Sequence, residues 1–469
     1  MPLHPDQLID HLLELAPAAS GYWVAFSGGL DSQVLLHALA ARRARLPGLL
    51  GALHVNHNLQ DPASAWAAHC RKVCADLAVP YRVLEVDAQP APGESPEAAA
   101  RAARYRALAG AVPPDGVLLT AHHRDDQAET LLLQLLRGAG PKGLAAMPAS
   151  IDVAWVERQR NPGFAPLNPG YPVRLVRPLL ECARDDLHAY AQGHDLAWIE
   201  DPSNACTDYD RNFLRHEILP RLRARWPALG ATLARSAGHQ AEATGLLDEL
   251  AALDLAPGPA HTLSVSALLR LSAPRRANLL RHWLARQRLP LPSRAVLAEI
   301  DRALLHAAAD AQPVVCWGGV CLRRYRDALM IDAPATAGAA AEAVDSGRCI
   351  DWAVQQPLSL PAGILSAEPV RGGGVACRHL EGGRCQVRFR RGGERLQPAG
   401  RRQHHSLKHL FQEAGVPPWE RARVPLIYRG DTLIAVAGHW VCEGFQAAEN
   451  QAGLHFLWRR AIVPAGSFW

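Results

Sequence analysis

Ser27-Gly28-Gly29-Leu30-Asp31-Ser32 sets two hydroxyls, two glycines and a carboxylate directly behind the apolar run Tyr22-Trp23-Val24-Ala25-Phe26. The run predicts a buried strand, and Val34, Leu35, Ala38 and Leu39 mark one face of a following helix. Backbone amides and hydroxyls then converge at a helix N-terminus, which is chemistry for an anion. The lysine that ends a Walker-type loop is missing, and Asp31 puts a carboxylate where a polyphosphate needs a divalent cation. A polyphosphate with magnesium suits such a loop. A plain glycine-serine turn with Asp at a helix start would carry the same residue types, so the reading depends on the motifs around it.

A second constellation follows the strand-like run Val117 to Thr120: His122-His123-Arg124-Asp125-Asp126-Gln127-Ala128-Glu129. Ala128, Leu131, Leu132, Leu135 and Leu136 predict the apolar face of its helix, with Asp126 and Glu129, three apart, on a different side. Carboxylates at the carboxyl end of a strand can hold magnesium or grip an ammonium group. Acids in a first turn also complement the helix dipole, which explains their sign but not the adjacent histidines. The third constellation runs from Asp201-Pro202-Ser203-Asn204 to Arg211 and Arg215, whose i,i+4 spacing presents two guanidinium forks on one face. Such forks suit phosphate; a surface helix laced with salt bridges has the same spacing.

Other motifs carry less. Gly138, Gly140 and Gly143 match a dinucleotide-binding pattern, but they follow a helix and enclose Pro141, so no Rossmann cofactor is expected. His54 and His57 follow a strand end and could border a nucleotide, although a single histidine more often satisfies a local hydrogen bond. Cys70 and Cys74, beside His69, are expected to be a packed helix face instead of metal ligands, since no second ligand pair accompanies them.

The elements that must position these residues read as a parallel α/β sheet. Strand-like runs at Tyr22 to Phe26, Leu49 to Val55, Tyr81 to Val86 and Val117 to Thr120 alternate with helical patterns, one of them opened by Ser95 as N-cap and Pro96. Ligands of such sheets collect at the carboxyl ends of the strands. A chain of 469 residues implies two to four domains. The α/β unit is expected to close near Pro220, a mostly helical arginine-rich stretch to reach Ala333, and the small-residue segment Pro334 to Ala343 to act as a linker. A net charge of +5 does not mark the whole chain as a polyanion binder, but arginines crowd Arg388 to Arg402 into a local basic patch. Ten cysteines without a Cys-x-x-Cys pair, and no apolar run of membrane-spanning length or basic leader, predict reduced thiols and a cytoplasmic protein that does not enter the membrane.

Taken together, these segments resemble the tRNA(Ile)-lysidine synthases of the PP-loop ATP pyrophosphatase superfamily. The loop Ser27 to Ser32, His54-Val-Asn-His57, Glu97 to Tyr105, His122 to Gly140, Arg177-Pro-Leu-Leu180 and Asp201 to Pro220 match in order. Arg388 to Arg395, Ser406 to Phe411, Pro417-Pro-Trp419 and Pro425-Leu-Ile do so near the C-terminus. The resemblance implies a doubly wound PP-loop domain over 1–220, a helical tRNA-contacting domain over 221–333, a linker over 334–375 and a small α+β tRNA-binding domain over 376–469. It implies adenylation of the wobble cytidine of a CAU-anticodon tRNA(Ile) at carbon-2, then displacement of AMP by the ε-amine of L-lysine. It assigns Ser27, Gly28, Gly29, Leu30, Asp31 and Ser32 to ATP, Asp31 and Asp125 to Mg2+, and Asp126 and Glu129 to lysine. Catalysis falls to Asp31, Asp126 and Arg211; tRNA contacts fall to Arg104, Arg211, Arg215, Arg391, Arg395, Arg401 and Arg402. A homodimer is admitted. A tRNA thiolase would need a sulfur-carrying cysteine near the motifs, and a non-catalytic tRNA-binding protein would have no use for Asp31, Asp126 and Glu129.

Overall fold

Alternation along the strands sorts the side chains of the N-terminal sheet into two cores. Tyr22 and Val24, Leu50 and Ala52, Val117 and Leu119, and Val176 pack into one buried cluster with Leu8, Ile9, Leu12, Val34, Leu35 and Leu39. Trp23, Leu53, Leu118 and Leu175 point the other way and meet Tyr105, Leu108 and Val112. Neighbouring residues on one strand thus serve opposite faces, which is what a sheet covered by helices on both sides requires.

The protein is described by a computed structural model for residues 3–56, 63–86, 96–153, 173–287, 289–308, 311–332, 349–360, 362–380 and 384–460. His57, Ser95 and the expected linker Pro334 to Ala343 lie outside these residues. The sheet has the order β3-β2-β1-β4-β6-β5, with β1 (Gly21–Ala25), β2 (Leu49–Asn56), β3 (Tyr81–Glu85), β4 (Val117–Leu119), β5 (Ser150–Asp152) and β6 (Arg174–Val176). All pairings are parallel except that of β5 with β6, and these two three-residue strands are absent from the sequence expectation. Because β2 and β3 lie on one side of β1 and β4 on the other, the winding reverses between β1 and β4. Crevices for ligands open at such reversals. Of the helices α1 (Pro5–Leu15), α2 (Leu30–Ala40), α3 (Ala63–Asp76), α4 (Pro96–Ala111) and α5 (Arg124–Leu136), α2 and α5 begin there.

The chain divides into two compact units, Met1–Pro257 with Leu271–Leu291, and Gly258–Arg270 with Pro292–Trp469. The first extends beyond Pro220 because helix Leu229–Asp254 packs along α5 and is tied to helix Ala273–Arg286. In that tie, the side-chain amide of Asn278 donates to the Leu247 carbonyl at 2.6 Å, and His282 Nδ1 lies 2.8 Å from Asp248. In the second unit, antiparallel strands Thr262–Ser264, Ala328–Asp332, Val320–Tyr325 and Val314–Trp317 form a sheet in that order, so the middle of the chain holds strands as well as helices. Beyond it, a five-stranded and a four-stranded antiparallel sheet share a core around Trp352, Leu365, Val387, Ile427 and Phe456, so the described part of the expected linker over 334–375, with strands Ile350–Ala353, Leu358–Leu360 and Gly363–Arg371, is built into the sheets instead of joining domains.

Two expectations need correcting. Cys316 and Cys321 face each other across a hairpin and form a disulfide, so the chain does not carry only thiols. Their separation of five residues matches no familiar cysteine motif and becomes meaningful only once the hairpin register pairs them. On α5, Leu135 and Leu136 are 58% and 75% exposed, whereas Asp126, Gln127, Ala128, Glu129 and Leu131 are buried. The polar first turns of α5 face inward, because charged partners from elsewhere in the unit cover them. Among the described residues, no helix is long and apolar enough to cross a membrane.

Candidate active site

The loop after β1 is held by its own serines. Ser27 N–H donates to Ser32 Oγ at 3.3 Å, the two hydroxyl oxygens lie 3.1 Å apart, Gly29 N–H donates to Ser27 Oγ, and Ser32 Oγ donates to the Gly29 carbonyl at 3.0 Å. The first intrahelical bond of α2 runs from Gln33 N–H to Gly29 O, which leaves the amides of Leu30, Asp31 and Ser32 without intrahelical acceptors. Donors left open in this way at a helix start can bind an anion.

Gly28 shows why glycine is needed in this turn. Its φ is +82°, and an added Cβ would stand 2.9 Å from Cys70 Sγ and 3.2 Å from Ile199 Cδ1. Cys70 and Cys74 are fully buried, and burial pushes both thiols up to about 12, so they are packing groups of the core, with Cys70 directly beneath the loop. Gly28→Ala is expected to destabilise the protein by about 1–3 kcal/mol and to weaken nucleotide binding, through the left-handed backbone and the Cys70 contact together. Thermal melts and a nucleotide titration check this; an alanine variant matching the parent in both would mean that the loop yields at no cost.

Across the crevice, His123 caps α5. Its Nδ1 accepts from Asp125 N–H at 3.2 Å, and Asp126 Oδ2 accepts from His123 N–H at 3.0 Å, a reciprocal capping box. With Nδ1 used as acceptor, the neutral ring carries its proton on Nε2, which lies 3.5 Å from Asp126 Oδ2 and 3.7 Å from Asp31 Oδ2. Burial works against a charged His123, but Asp31, Asp126 and Asp125 outweigh it and raise its pKa. The ring thus links the Ser27 to Ser32 loop to the acidic helix. His122 is the opposite case: desolvation drives it down to about 3, and its Nδ1 lies 2.9 Å from Thr120 Oγ1. It is a neutral group at neutral pH.

The two acids and two arginines singled out separately in the sequence are one cluster. Glu129, 1% exposed, accepts from Arg211 Nε at 2.6 Å and from Arg215 Nε at 2.6 Å and Nη2 at 3.0 Å. Asp126 Oδ1, on a residue 8% exposed, accepts from Arg211 Nη2 at 3.0 Å and Arg215 Nη2 at 3.2 Å. Burial would raise Asp126, but His123 and Arg211 hold it down to about 2. Its folded pKa lies below the ordinary 3.8, so its stabilisation is complete above about pH 4 and is lost as pH falls toward 2. The stability gap between the parent and Asp126→Asn should therefore narrow between pH 5 and pH 2; a gap independent of pH in chemical denaturation would remove the charged role.

Asp125 is engaged differently. Its Oδ1 accepts from Arg223 Nη2 and its Oδ2 from Arg184 N–H at 3.0 Å. Asp31 Oδ1, by contrast, is buried with no hydrogen-bond partner. A hard cation bridging to phosphate needs one or two carboxylates, and Asp31 is the better oxygen donor of the two.

Arg104 lies exposed on α4 (Pro96–Ala111), where its neighbour Arg101 stacks over Tyr105 at 4.9 Å. In the second unit, Arg391, Arg395, Arg401 and Arg402 are exposed, with Arg395 Nη2 3.4 Å from the His404 carbonyl and Arg401 paired to Glu413 at 2.9 Å. Gly392 and Gly393 have φ of +103° and +86° and open space where a Cβ would stand, so backbone is accessible there. Arg388 is committed inside the unit, over Tyr428 and paired to Asp431. Sequence reasoning did not pick out Arg184 and Arg223, the partners of Asp125, or the linking role of His123; adjacency of His123 to the acids was the one signal it had.

The PP-loop domain family matches residues 5–222, the TilS substrate-binding domain 263–330 and the TilS substrate C-terminal domain 385–458. A tRNA(Ile)-lysidine synthase of Coxiella burnetii is 42% identical, covering 98% of this chain and 97% of that protein. That of Alkalilimnicola ehrlichii is 46% identical over 95% of each. Among solved structures, the U34-tRNA thiolase NcsA of Methanococcus maripaludis is similar over 50% of this chain and 79% of its own, at 16% identity and a TM-score of 0.39.

Proposed function

The chain belongs to the tRNA(Ile)-lysidine synthase family, and from that premise we propose that its ATP-dependent ligation joins L-lysine to carbon-2 of the wobble cytidine in a CAU-anticodon tRNA(Ile). The observation that carries the reading is the meeting of the Ser27 to Ser32 loop with the acidic start of α5 at the reversal of the sheet. The amides of Leu30, Asp31 and Ser32 face the ATP phosphates. Asp31, through its unpartnered Oδ1, would hold Mg2+, which when bound offsets phosphate charge as diphosphate leaves. Asp125 is the weaker candidate, being already held by Arg223 and Arg184. A carbonyl oxygen is a poor leaving group, and its adenylation makes displacement by an amine feasible. Asp126 and Glu129 receive the lysine ammonium, and Arg211 and Arg215 serve phosphate. The buried, protonated thiols of Cys70 and Cys74 give a thiolase no sulfur carrier at the loop.

Incubation with transcript tRNA, ATP and labelled lysine tests this: label in CAU-anticodon tRNA(Ile) with release of AMP and diphosphate is expected, and label independent of ATP would overturn it. We assign the protein to the cytoplasm, where its tRNA is, and leave 221–333 and 376–469 as its tRNA-contacting segments; the homodimer is a proposal that sedimentation decides.

Arg391, Arg395, Arg401 and Arg402 bind tRNA phosphates in this reading. Arg391→Ala with Arg395→Ala should weaken tRNA binding and lower the salt slope by roughly one unit per lost contact, leaving ATP binding intact. Titrations at several salt concentrations measure both, and an unchanged slope would remove these arginines from the interface.

A further inference from the structure

Asp126 and Glu129 already hold cations. Arg211 and Arg215 fill them with five donor contacts of 2.6–3.2 Å, two negative charges against two positive, at carboxylates that are almost fully buried. An alkyl ammonium cannot take the same oxygens while both guanidiniums remain. The arginines are nonetheless the accessible half of the cluster, with side chains 36% and 24% exposed against 11% and 1% for the acids. They also stand next to the phosphate-facing loop, since Asp126 is separated from Asp31 by the ring of His123 alone, 3.5 and 3.7 Å from the two carboxylates.

The backbone under Arg215 is not a regular α-helix. Asp210–Phe213 is α-helical, Leu214–Ile218 widens into a π-turn, and Leu219–Arg225 resumes the α form. Pro220 has no N–H to give the His216 carbonyl, so the α register cannot run through this point. Single π-turns within α-helices recur at functional sites.

We propose that Arg211 and Arg215 are resident cations of the amine subsite, which close Asp126 and Glu129 to free lysine and surrender them when phosphate at the adjoining loop takes up the guanidiniums. The exchange conserves charge: each arginine leaves a carboxylate for a phosphate, and the ammonium of lysine replaces it. Lysine then enters only a site already loaded with polyanion, which keeps an abundant amine out of the empty enzyme. The proposal rests on the reading of Asp126 and Glu129 as the lysine subsite.

Calorimetric titration of lysine into the full-length protein tests it in four states: alone, with Mg2+ and a non-hydrolysable ATP analogue, with CAU-anticodon tRNA transcript, and with both. Exchange of one charge-assisted pair predicts an affinity gain on the order of tenfold or more in a phosphate-loaded state, and the state that shows it identifies nucleotide or RNA as the source. Arg211→Gln should bind lysine more tightly than the parent when alone, and depend less on phosphate. Glu129→Gln should bind lysine on the order of tenfold or more weakly in every state. If Glu129→Gln binds lysine normally, or the parent binds none in any state, the amine subsite and the exchange fall together. If Glu129→Gln binds lysine more weakly but the parent's affinity is equal in all four states, the subsite stands and the exchange is wrong. Should Arg211→Gln fail to fold by circular dichroism, the four parental titrations decide alone.

Discussion

Asp31→Asn is expected to fold normally and to lose turnover on the order of a hundredfold or more, the scale seen when one preorganised charge partner is removed from a reacting group. Asp31 makes no capping hydrogen bond to the start of α2, whose N-cap is Gly29 and whose entry is fixed by the Ser27 and Ser32 hydroxyls. Its charge acts locally on the ring of His123, 3.7 Å away, and not on the start of the helix, and Asn preserves its shape. Stability should change by no more than about 0.5 kcal/mol. His123 keeps its place without Asp31, because Asp125 N–H and Asp126 anchor it from the other side. What disappears is the buried carboxylate oxygen with no partner in the protein. Diphosphate release at saturating magnesium, beside thermal melts, separates the two effects. Near-parental release would reduce Asp31 to an acid that merely complements a helix dipole.

Much of the sheet was legible because its information is local. The runs at Tyr22, Leu49, Tyr81 and Val117 are apolar, short and bounded, and they became β1 to β4 with the expected parallel pairing. β5 and β6 were not legible: three residues contain less than two periods of alternation, and the stretch between them lies outside the described residues. The site divides in the same way. Ser27 to Ser32 and His122 to Glu129 are contiguous and could be read as units. The bonds from Arg211 and Arg215 to Asp126 and Glu129 span 82–89 residues, and no spacing in either segment encodes the other. Helical periodicity also misled at α5. It marked Leu135 and Leu136 as the inward face, but these lie beyond the turns that the arginine-bearing segment and the Asp125 partners cover.

Glu129→Gln should show the second large effect, and on two properties at once. Glu129 is the most deeply buried member of the four-charge cluster and accepts from both arginines, so neutralising it leaves two guanidiniums facing one remaining carboxylate, Asp126. Removing one partner of a buried pair costs about 3–5 kcal/mol, and the amide keeps the volume, so a loss near 3 kcal/mol is expected. Part of that loss should return when Arg215→Gln is added, because the second change removes the charge left unpaired; a double-mutant cycle measures the coupling, with more than about 1 kcal/mol expected for groups in direct contact. Lysine use should weaken by about 1.5–3 kcal/mol, on the order of ten- to a hundredfold in KM for lysine, while adenylation of tRNA persists in part. Single-turnover assays with and without lysine separate the steps. Equal losses in adenylate formation and lysine transfer would assign Glu129 to the nucleotide side, and a cycle with no coupling would show that its contacts to Arg215 contribute nothing to the fold.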